Sequence, residues 1–278
     1  MEKLYGLIGE KLGHTYSPQI HSEILKFINI EGHYGLFQVK KHNLKNVISG
    51  LKAIGYNGIN VTIPYKSEII QYLDSLSAEA SKIGAINVVS IDKSNVATGY
   101  NTDYYGFGMM LNNANINIQN EAAVILGTGG ASKAVIQYLK DNGIRDIIIV
   151  SRDPKSTNYK YPNDKIISYN DLNEINNCSI IINCTPVGMY PEVENTPINK
   201  MYLRKFKFAV DLIYNPSTTL FLKQAQEEGL KTINGLYMLV AQAVKSQEIW
   251  NEIEIDASVI GNIVNLLNRR IKWVKTLL

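Results

Sequence analysis

The sequence predicts an α/β protein built in two layered parts, with mostly parallel sheets. Three observations carry this expectation. Short apolar runs alternate with segments of helical period along the whole chain. One run, Ala122-Ala123-Val124-Ile125-Leu126, is apolar at every position, as a strand covered on both faces requires. The chain has 278 residues, enough for two domains of ordinary size.

Leu4 to Ile8 reads as the first strand. Ser17-Pro18 then looks like an N-cap with proline at the first helical position, opening a helix to about Ile28. Tyr34 to Val39 is a second strand, and Leu44 to Ile54 a helix stopped by Gly55. Gly58 to Thr62 is a third strand, and helical pattern is expected from Pro64 to about Ile83. Ile86 to Ile91 and Val96 to Tyr100 form two strands joined by a turn at Lys93-Ser94-Asn95. A helix from Asn101 to Asn113 leaves this part.

The second part starts with the 122–126 strand, a glycine-rich turn, and a helix to Asn142 with Gly143 as its stop. Asp146 to Val150, Ser179 to Asn183, Phe208 to Leu212 and Lys231 to Ile233 are its further strands. A helix from Leu236 to about Trp250 leads out. The last helix, about Ala257 to Val274, has no strand after it and is expected to fold back onto the first part. The expected domains are residues 1–101, 102–236, and 237–278 packing on the first.

Composition narrows the function. A net charge of +3 speaks against a nucleic-acid stripe or a polybasic membrane patch. The two cysteines, Cys178 and Cys184, match neither a disulfide framework nor a metal-ligand spacing, so no metal and a reducing cytoplasm are expected. No apolar run is long enough to span a bilayer, and residues 1–6 show no signal-peptide pattern.

Gly127-Thr128-Gly129-Gly130-Ala131-Ser132 sits between a strong strand and a helix. Glycines in that setting permit a tight turn and close approach of backbone to a pyrophosphate. The helix N-terminus adds unpaired N–H groups and partial positive charge. Ser132 stands where the usual third glycine would be, and a small residue keeps helix packing close. The alternative is a tight turn with no ligand. A Rossmann-like dinucleotide-binding domain is the expectation. The next strand ends in Ser151-Arg152-Asp153-Pro154-Lys155. The fold usually places an acid there for an NAD ribose. Arg152, with Lys155 nearby, suits a 2′-phosphate and favours NADP. Asp153 keeps NAD open, and both residues are also compatible with a plain exposed turn.

Two strand ends of the first part carry chemistry-bearing residues. Asn60-Val61-Thr62-Ile63-Pro64-Tyr65-Lys66 puts a lysine just past a strand, and Gly99-Tyr100-Asn101-Thr102-Asp103 does the same for an acid. Loops at carboxyl ends of strands are where α/β folds place chemistry. A lysine and an aspartate meeting there would hold and relay a proton. Read singly, Lys66 is also a surface charge and Asp103 also a helix N-terminal acid.

Together these motifs resemble the shikimate dehydrogenase family, collinearly over nearly the whole chain. Ser17-Pro18-Gln19-Ile20-His21, the lysine motif 60–66, Gly84-Ala85-Ile86-Asn87, the 99–103 motif and the glycine loop all take part. Asn183-Cys184-Thr185-Pro186-Val187-Gly188-Met189 and Gly235-Leu236-Tyr237-Met238-Leu239-Val240-Ala241-Gln242 complete the set. The resemblance implies an N-terminal α/β substrate domain and a Rossmann-like domain with a cleft between them, and the two-domain layout itself suggests a hinge at the linking helices near Asn101 and Leu236. It implies NADPH-dependent reduction of 3-dehydroshikimate to shikimate. Lys66 and Asp103 would be the catalytic pair. Asn60, Thr62, Asn87, Tyr214 and Gln242 would hold the substrate, with Thr15 and Ser17 receiving its carboxylate. Leu212, Gly235 and Met238 would lie near the nicotinamide, and Ser151 and Arg152 near the 2′-phosphate. The family usually has serine where Thr15 stands, and its NADP forms often read Asn-Arg-Thr where this chain has Ser151-Arg152-Asp153. Quinate as a second substrate, NAD as a second cofactor, and a non-catalytic nucleotide-binding regulator are therefore the competing expectations. A folate-linked dehydrogenase fits the glycine loop but not the Thr15–Ser17 pair. Small molecules are the expected partners, with a monomer or homodimer.

Overall fold

The computed structural model describes residues 2–13 and 15–276, with side chains as far as Arg269. The chain divides into two compact units, Met1–Gly106 with Val240–Leu278, and Phe107–Leu239. Both crossings fall inside helices, α4 (Thr102–Asn113) and α8 (Leu236–Asn251). The boundaries expected after residues 101 and 236 lie a few residues earlier, at the starts of these helices.

The first unit holds a six-stranded sheet. Its strands are β1 (Lys3–Gly9), β2 (Gly32–Gln38), β3 (Gly58–Val61), β4 (Ser75–Leu76), β5 (Val88–Ile91) and β6 (Ala97–Tyr100), in the order β2-β1-β3-β5-β6-β4. β1 pairs in parallel with β2 and β3, and β4 with β6, while β3–β5 and β5–β6 are antiparallel. The antiparallel β5–β6 pair follows from the tight turn after β5. There Asp92 Oδ1 accepts from the N–H groups of Ser94 and Val96, both at 2.8 Å, and Asn95 takes φ 61°. The helices are α1 (Ser17–Phe27), α2 (Leu44–Ala53), α3 (Ala78–Ile83), α8 from Val240 onward, and α9 (Ser258–Thr276), which lies against α1.

Two local expectations change. Ser17 is the first residue of α1, not its cap, because Thr15 Oγ1 already accepts from the Ser17 N–H at 3.2 Å and Tyr16 is in the αR region. The helix expected from Pro64 to Ile83 breaks into a 3₁₀ turn at Glu68–Tyr72, the strand β4 and α3. The β6 strand competes for that backbone: the Asp74 N–H donates to Ala97 O at 3.0 Å and the Ser77 N–H to Gly99 O at 2.9 Å. Ser77 then caps α3 by accepting from Ala80 N.

One core of this unit gathers around Trp250 of α8. Its ring stacks on Tyr5 at 4.8 Å, and its indole N–H donates to Val89 O at 2.9 Å. Strand β3 passes so close that a Cβ on Gly58 would fall 2.0 Å from Trp250 Nε1. Glycine is required there for contact, not for turn geometry.

The second unit contains β7 (Ala122–Leu126), α5 (Gly130–Asp141), β8 (Asp146–Ser151), α6 (Pro154–Lys160), β9 (Lys165–Ser168), β10 (Ile180–Asn183), β11 (Phe208–Asp211), α7 (Leu220–Glu227) and β12 (Lys231–Ile233). Its sheet is parallel throughout, in the order β12-β11-β10-β7-β8-β9. Counted from β7 this is the 3-2-1-4-5-6 order of the Rossmann fold, with the switch point between β7 and β10. All five residues of β7 are buried, as their continuous apolar run requires. No helix among the described residues is long and apolar enough to cross a membrane.

Candidate active site

Lys66 is held by its neighbours in the chain. Tyr65 is fully buried with its hydroxyl donating to Val39 O, and Lys66 O accepts from the Ile86 N–H at 2.7 Å. Asp103 lies in the first turn of α4, where the helix end favours a carboxylate. Lys66 Nζ meets Asp103 Oδ2 at 2.5 Å, with the side chains only 13% and 9% exposed. The other carboxylate oxygen, Oδ1, accepts from Asn87 Nδ2 at 2.9 Å. Both oxygens of Asp103 therefore have partners, and the ammonium is fixed by charge and by geometry.

The neighbouring polar side chains form one network. Asn87 Oδ1 accepts from the Thr102 N–H at 2.7 Å, and Asn87 Nδ2 also lies 3.0 Å from Thr102 Oγ1 and 3.3 Å from Gln242 Oε1. Asn60 Nδ2 donates to Asn87 O at 3.2 Å and to Ser246 Oγ at 3.1 Å. Asn101 Nδ2 ties the start of α4 to Ala85 O at 2.8 Å. Lys66, Asp103, Asn87, Gln242 and Asn60 are thus brought together. Thr62 is half-buried at the end of the same strand as Asn60, its backbone N–H donating to Ile8 O at 2.9 Å. Thr15 and Ser17 are joined to each other, Thr15 Oγ1 donating to Ser17 Oγ at 3.0 Å. Tyr214 belongs to the second unit, half-buried in the loop between β11 and α7.

Three members of the network were not foreseen: Thr102, Ser246 and Tyr34, whose hydroxyl donates to Asn60 Oδ1 at 2.7 Å. Ser246 had a weak signal, since it stands four residues after Gln242 and so on the same helix face. Thr102 lies inside the 99–103 motif. Tyr34 has no local signal at all.

In the second unit the glycine loop leaves the carboxyl end of β7. Gly127 has φ 98°, a conformation that side chains rarely adopt, and a Cβ there would meet Thr185 Cγ2 at 2.8 Å. Nothing lies within 4 Å of where a Gly129 Cβ would be. No side chain caps α5, so the loop presents N–H groups beside open space, with Thr128, Gly130 and Ala131 half-buried along it. Ser132 Oγ donates to Gly129 O at 2.6 Å and closes the turn where the third glycine is absent. Burial, and the nearby Lys160, hold the Lys133 ammonium below the usual lysine range. At the end of β8 the Ser151 hydroxyl accepts from the Asp153 N–H at 3.1 Å and lies 2.7 Å from Thr157 Oγ1. Asp153 caps α6 by accepting from Ser156 N at 3.1 Å, and Arg152 beside it is exposed. The uncapped helix, the open glycine and the surrounding cations suit a dinucleotide diphosphate with a further phosphate on its ribose. Among the described residues no group of three His, Cys, Asp or Glu side chains is gathered to hold a metal.

Leu212, Gly235 and Met238 also come together. The Leu212 N–H donates to Asn183 O and the Gly235 N–H to Ile213 O, both at 3.0 Å. Met238 is buried in the core that Leu212 borders. Beside them Asp211 is fully buried, accepting from Thr219 Oγ1 at 2.6 Å and from Ile213 N and Asn183 Nδ2 at 3.0 Å. Burial pushes its carboxyl up from 3.8 to about 6, against the pull of those three donors. The folded state therefore binds a proton more tightly than the unfolded chain. Its stability falls as pH rises from about 4 to about 6, by roughly 3 kcal/mol from this group. Urea midpoints measured from pH 4 to 7 are expected to show this loss, and Asp211→Asn to remove that component of the slope. An identical slope in the variant would assign the loss to other groups.

Comparison with known proteins supplies the family. The family model for the shikimate dehydrogenase substrate binding domain matches residues 7–89. A shikimate dehydrogenase (NADP(+)) of Clostridium perfringens is 47% identical over 270 residues, covering 96% of this chain and 99% of the relative. The chain belongs to the shikimate dehydrogenase family. Within this family, the crystal structure of a chorismate mutase/shikimate 5-dehydrogenase fusion protein from Clostridium acetobutylicum superposes with a TM-score of 0.94 at 48% identity, covering 98% of this chain and 99% of that one. Shikimate 5-dehydrogenase from Listeria monocytogenes, solved with shikimate and NAD, gives 0.83 at 31% identity, with coverage of 95% and 96%.

Proposed function

We propose that this chain is an NADP-dependent shikimate dehydrogenase, reversibly reducing 3-dehydroshikimate to shikimate on the route to chorismate and the aromatic amino acids. The Lys66–Asp103 pair carries the reading, because it supplies a carboxylate-held ammonium of the kind that can protonate a carbonyl oxygen. NADPH, when bound, supplies the hydride. Gly127, Thr128, Gly129, Gly130 and Ala131 would hold its diphosphate. Ser151 and Arg152 would hold its 2′-phosphate, and Leu212, Gly235 and Met238 would border the nicotinamide. Lys66 donates its proton to the oxygen on which negative charge grows, and takes it back in the reverse direction. Asp103 holds the ammonium in place and accepts from the neighbouring substrate hydroxyl. Asn87 keeps Asp103 oriented through Oδ1. Thr15 and Ser17 receive the carboxylate, while Asn60, Thr62, Asn87, Tyr214 and Gln242 hold the substrate's hydroxyls and carboxylate. On the same reading the enzyme works in the cytoplasm, on small-molecule ligands, as a monomer or homodimer.

Absorbance of reduced cofactor, followed with shikimate or quinate and with NADP or NAD, tests the assignment. Shikimate with NADP is expected to be the fastest pair. The Thr15 methyl group favours one second reading, a quinate and shikimate dehydrogenase that also takes NAD. Equal rates across the four combinations would select it, and no turnover in any would leave a nucleotide-binding regulator. Arg152→Ala is expected to raise KM for NADP by about ten- to a hundredfold, the worth of a charge-assisted hydrogen bond. KM for NAD should barely move. Equal effects on both would mean that Arg152 does not read the 2′-phosphate.

A further inference from the structure

The motif Ser17-Pro18-Gln19-Ile20-His21 contributes a histidine to which the chemistry above gives no task. His21 is fully buried in α1, and burial pushes its imidazole down to about 3, so the ring is neutral. The Gln247 amide lies 3.0 Å from Nδ1, while Nε2 has no partner. Its ring stacks flat on Tyr34, with centroids 4.1 Å apart and planes 9° apart. Trp250 borders both rings, at 5.4 Å from His21 and 6.5 Å from Tyr34. The ring of Tyr34 is therefore clamped by apolar faces, and its hydroxyl donates to Asn60 Oδ1 at 2.7 Å.

We propose that Tyr34 is a positioning residue for the substrate site, fixing which end of the Asn60 carboxamide acts as acceptor. This rests on the functional reading above. The two amide protons of Asn60 are already committed, to Asn87 O and to Ser246 Oγ. Its Oδ1 takes one hydrogen bond from Tyr34, so what Asn60 offers a ligand is the remaining lone pair of that oxygen. Asn60 then recognises a substrate group that donates, a ring hydroxyl, and discriminates against a keto or ether oxygen at the same place. The phenol is one of three bonds that hold the carboxamide; without it, rotation by half a turn, which would present donors instead, is opposed only by the bonds to Asn87 O and Ser246 Oγ. Burial keeps the phenol protonated well above the usual tyrosine range, so it remains a donor throughout the working pH.

Tyr34→Phe keeps the ring and its stacking and removes only the hydroxyl. KM for shikimate is expected to rise about tenfold, the worth of one well-placed hydrogen bond, with kcat and KM for NADP within about twofold. In an Asn60→Ala background the same substitution should change KM no further, because the group it orients is gone. A purely structural role would lower the melting temperature and leave KM for shikimate unmoved. That result, or full additivity with Asn60→Ala, overturns the proposal. Ser246→Ala, which removes the acceptor of Asn60 Nδ2, carries the same expectation where Tyr34→Phe does not fold. Wild-type turnover of shikimate is measured first. Its absence overturns the functional reading and this inference with it, whereas wild-type turnover with an unchanged KM in the variants overturns this inference alone.

Discussion

Lys66→Ala is expected to lower kcat by about 10²–10⁴-fold, the usual worth of a positioned general acid, with KM for shikimate changed less than about threefold. The asymmetry follows from when the interaction forms. The ammonium meets full negative charge only as the carbonyl oxygen gains it, so its loss falls on the transition state and not on ground-state binding. Truncation has a second effect. Asp103 is only 9% exposed and keeps just the Asn87 amide, so an uncompensated charge remains where a pair stood. Some loss of stability should accompany the loss of rate, and circular dichroism at the assay temperature separates the two. Steady-state kinetics on folded variant then decide. A kcat near the wild-type value would remove Lys66 from the chemistry and leave the pair as a structural ion pair.

Gly235→Ala is expected to destabilise the protein by at least about 3 kcal/mol, at the upper end of what overpacking produces. A Cβ at this position would fall 2.0 Å from Leu212 O and 2.5 Å from the Leu212 carbonyl carbon. Both atoms are backbone, so no side chain can swing aside. Either the end of β11 or the start of α8 must move, and each is anchored. Leu212 is tied to Asn183 O, and Leu236 donates its N–H to Asn234 Oδ1 at 3.1 Å. Urea unfolding measures the effect. A midpoint within error of wild type would show that this junction yields where its hydrogen bonds say it is held. The proposed role of Gly235 beside the nicotinamide adds a kinetic signature, a raised KM for NADP in whatever variant folds.

Much of the fold was legible where one physical signal dominated. The run Ala122–Leu126 could only be a doubly covered strand, and the glycines after it could only turn. The hairpin at Asp92–Asn95 was readable because its turn residues bond their own backbone. Legibility ended where the partner was distant or the signal mixed. Helix α6, Pro154–Lys160, has no apolar period and rests on the Asp153 cap and on Ser151 and Thr157. Strand β9 is four residues long, and α7 was passed over between two clear strands. The segment after Pro64 has helical spacing, yet β6 claims its backbone. At the site, Lys66 and Asp103 could be matched because each follows a strand. The Asn60–Ser246 bond joins residues 186 apart in the chain, and nothing local announces it.

The interruption of the first unit by the second has a consequence for the order in which the protein can be made. During synthesis, residues Phe107–Leu239 are all available before the ribosome has produced Trp250. Until then β3 passes Gly58 beneath a ring that does not yet exist, and Val89 O and Tyr5 lack their indole partner. Asn60 likewise waits for Ser246, and Asn87 for Gln242. At about 5–20 residues per second the delay is on the order of ten seconds. The middle of the chain is thus the first part able to fold to completion, against the usual N-terminal-first order. The nascent N-terminal sheet must spend that interval with its aromatic core open.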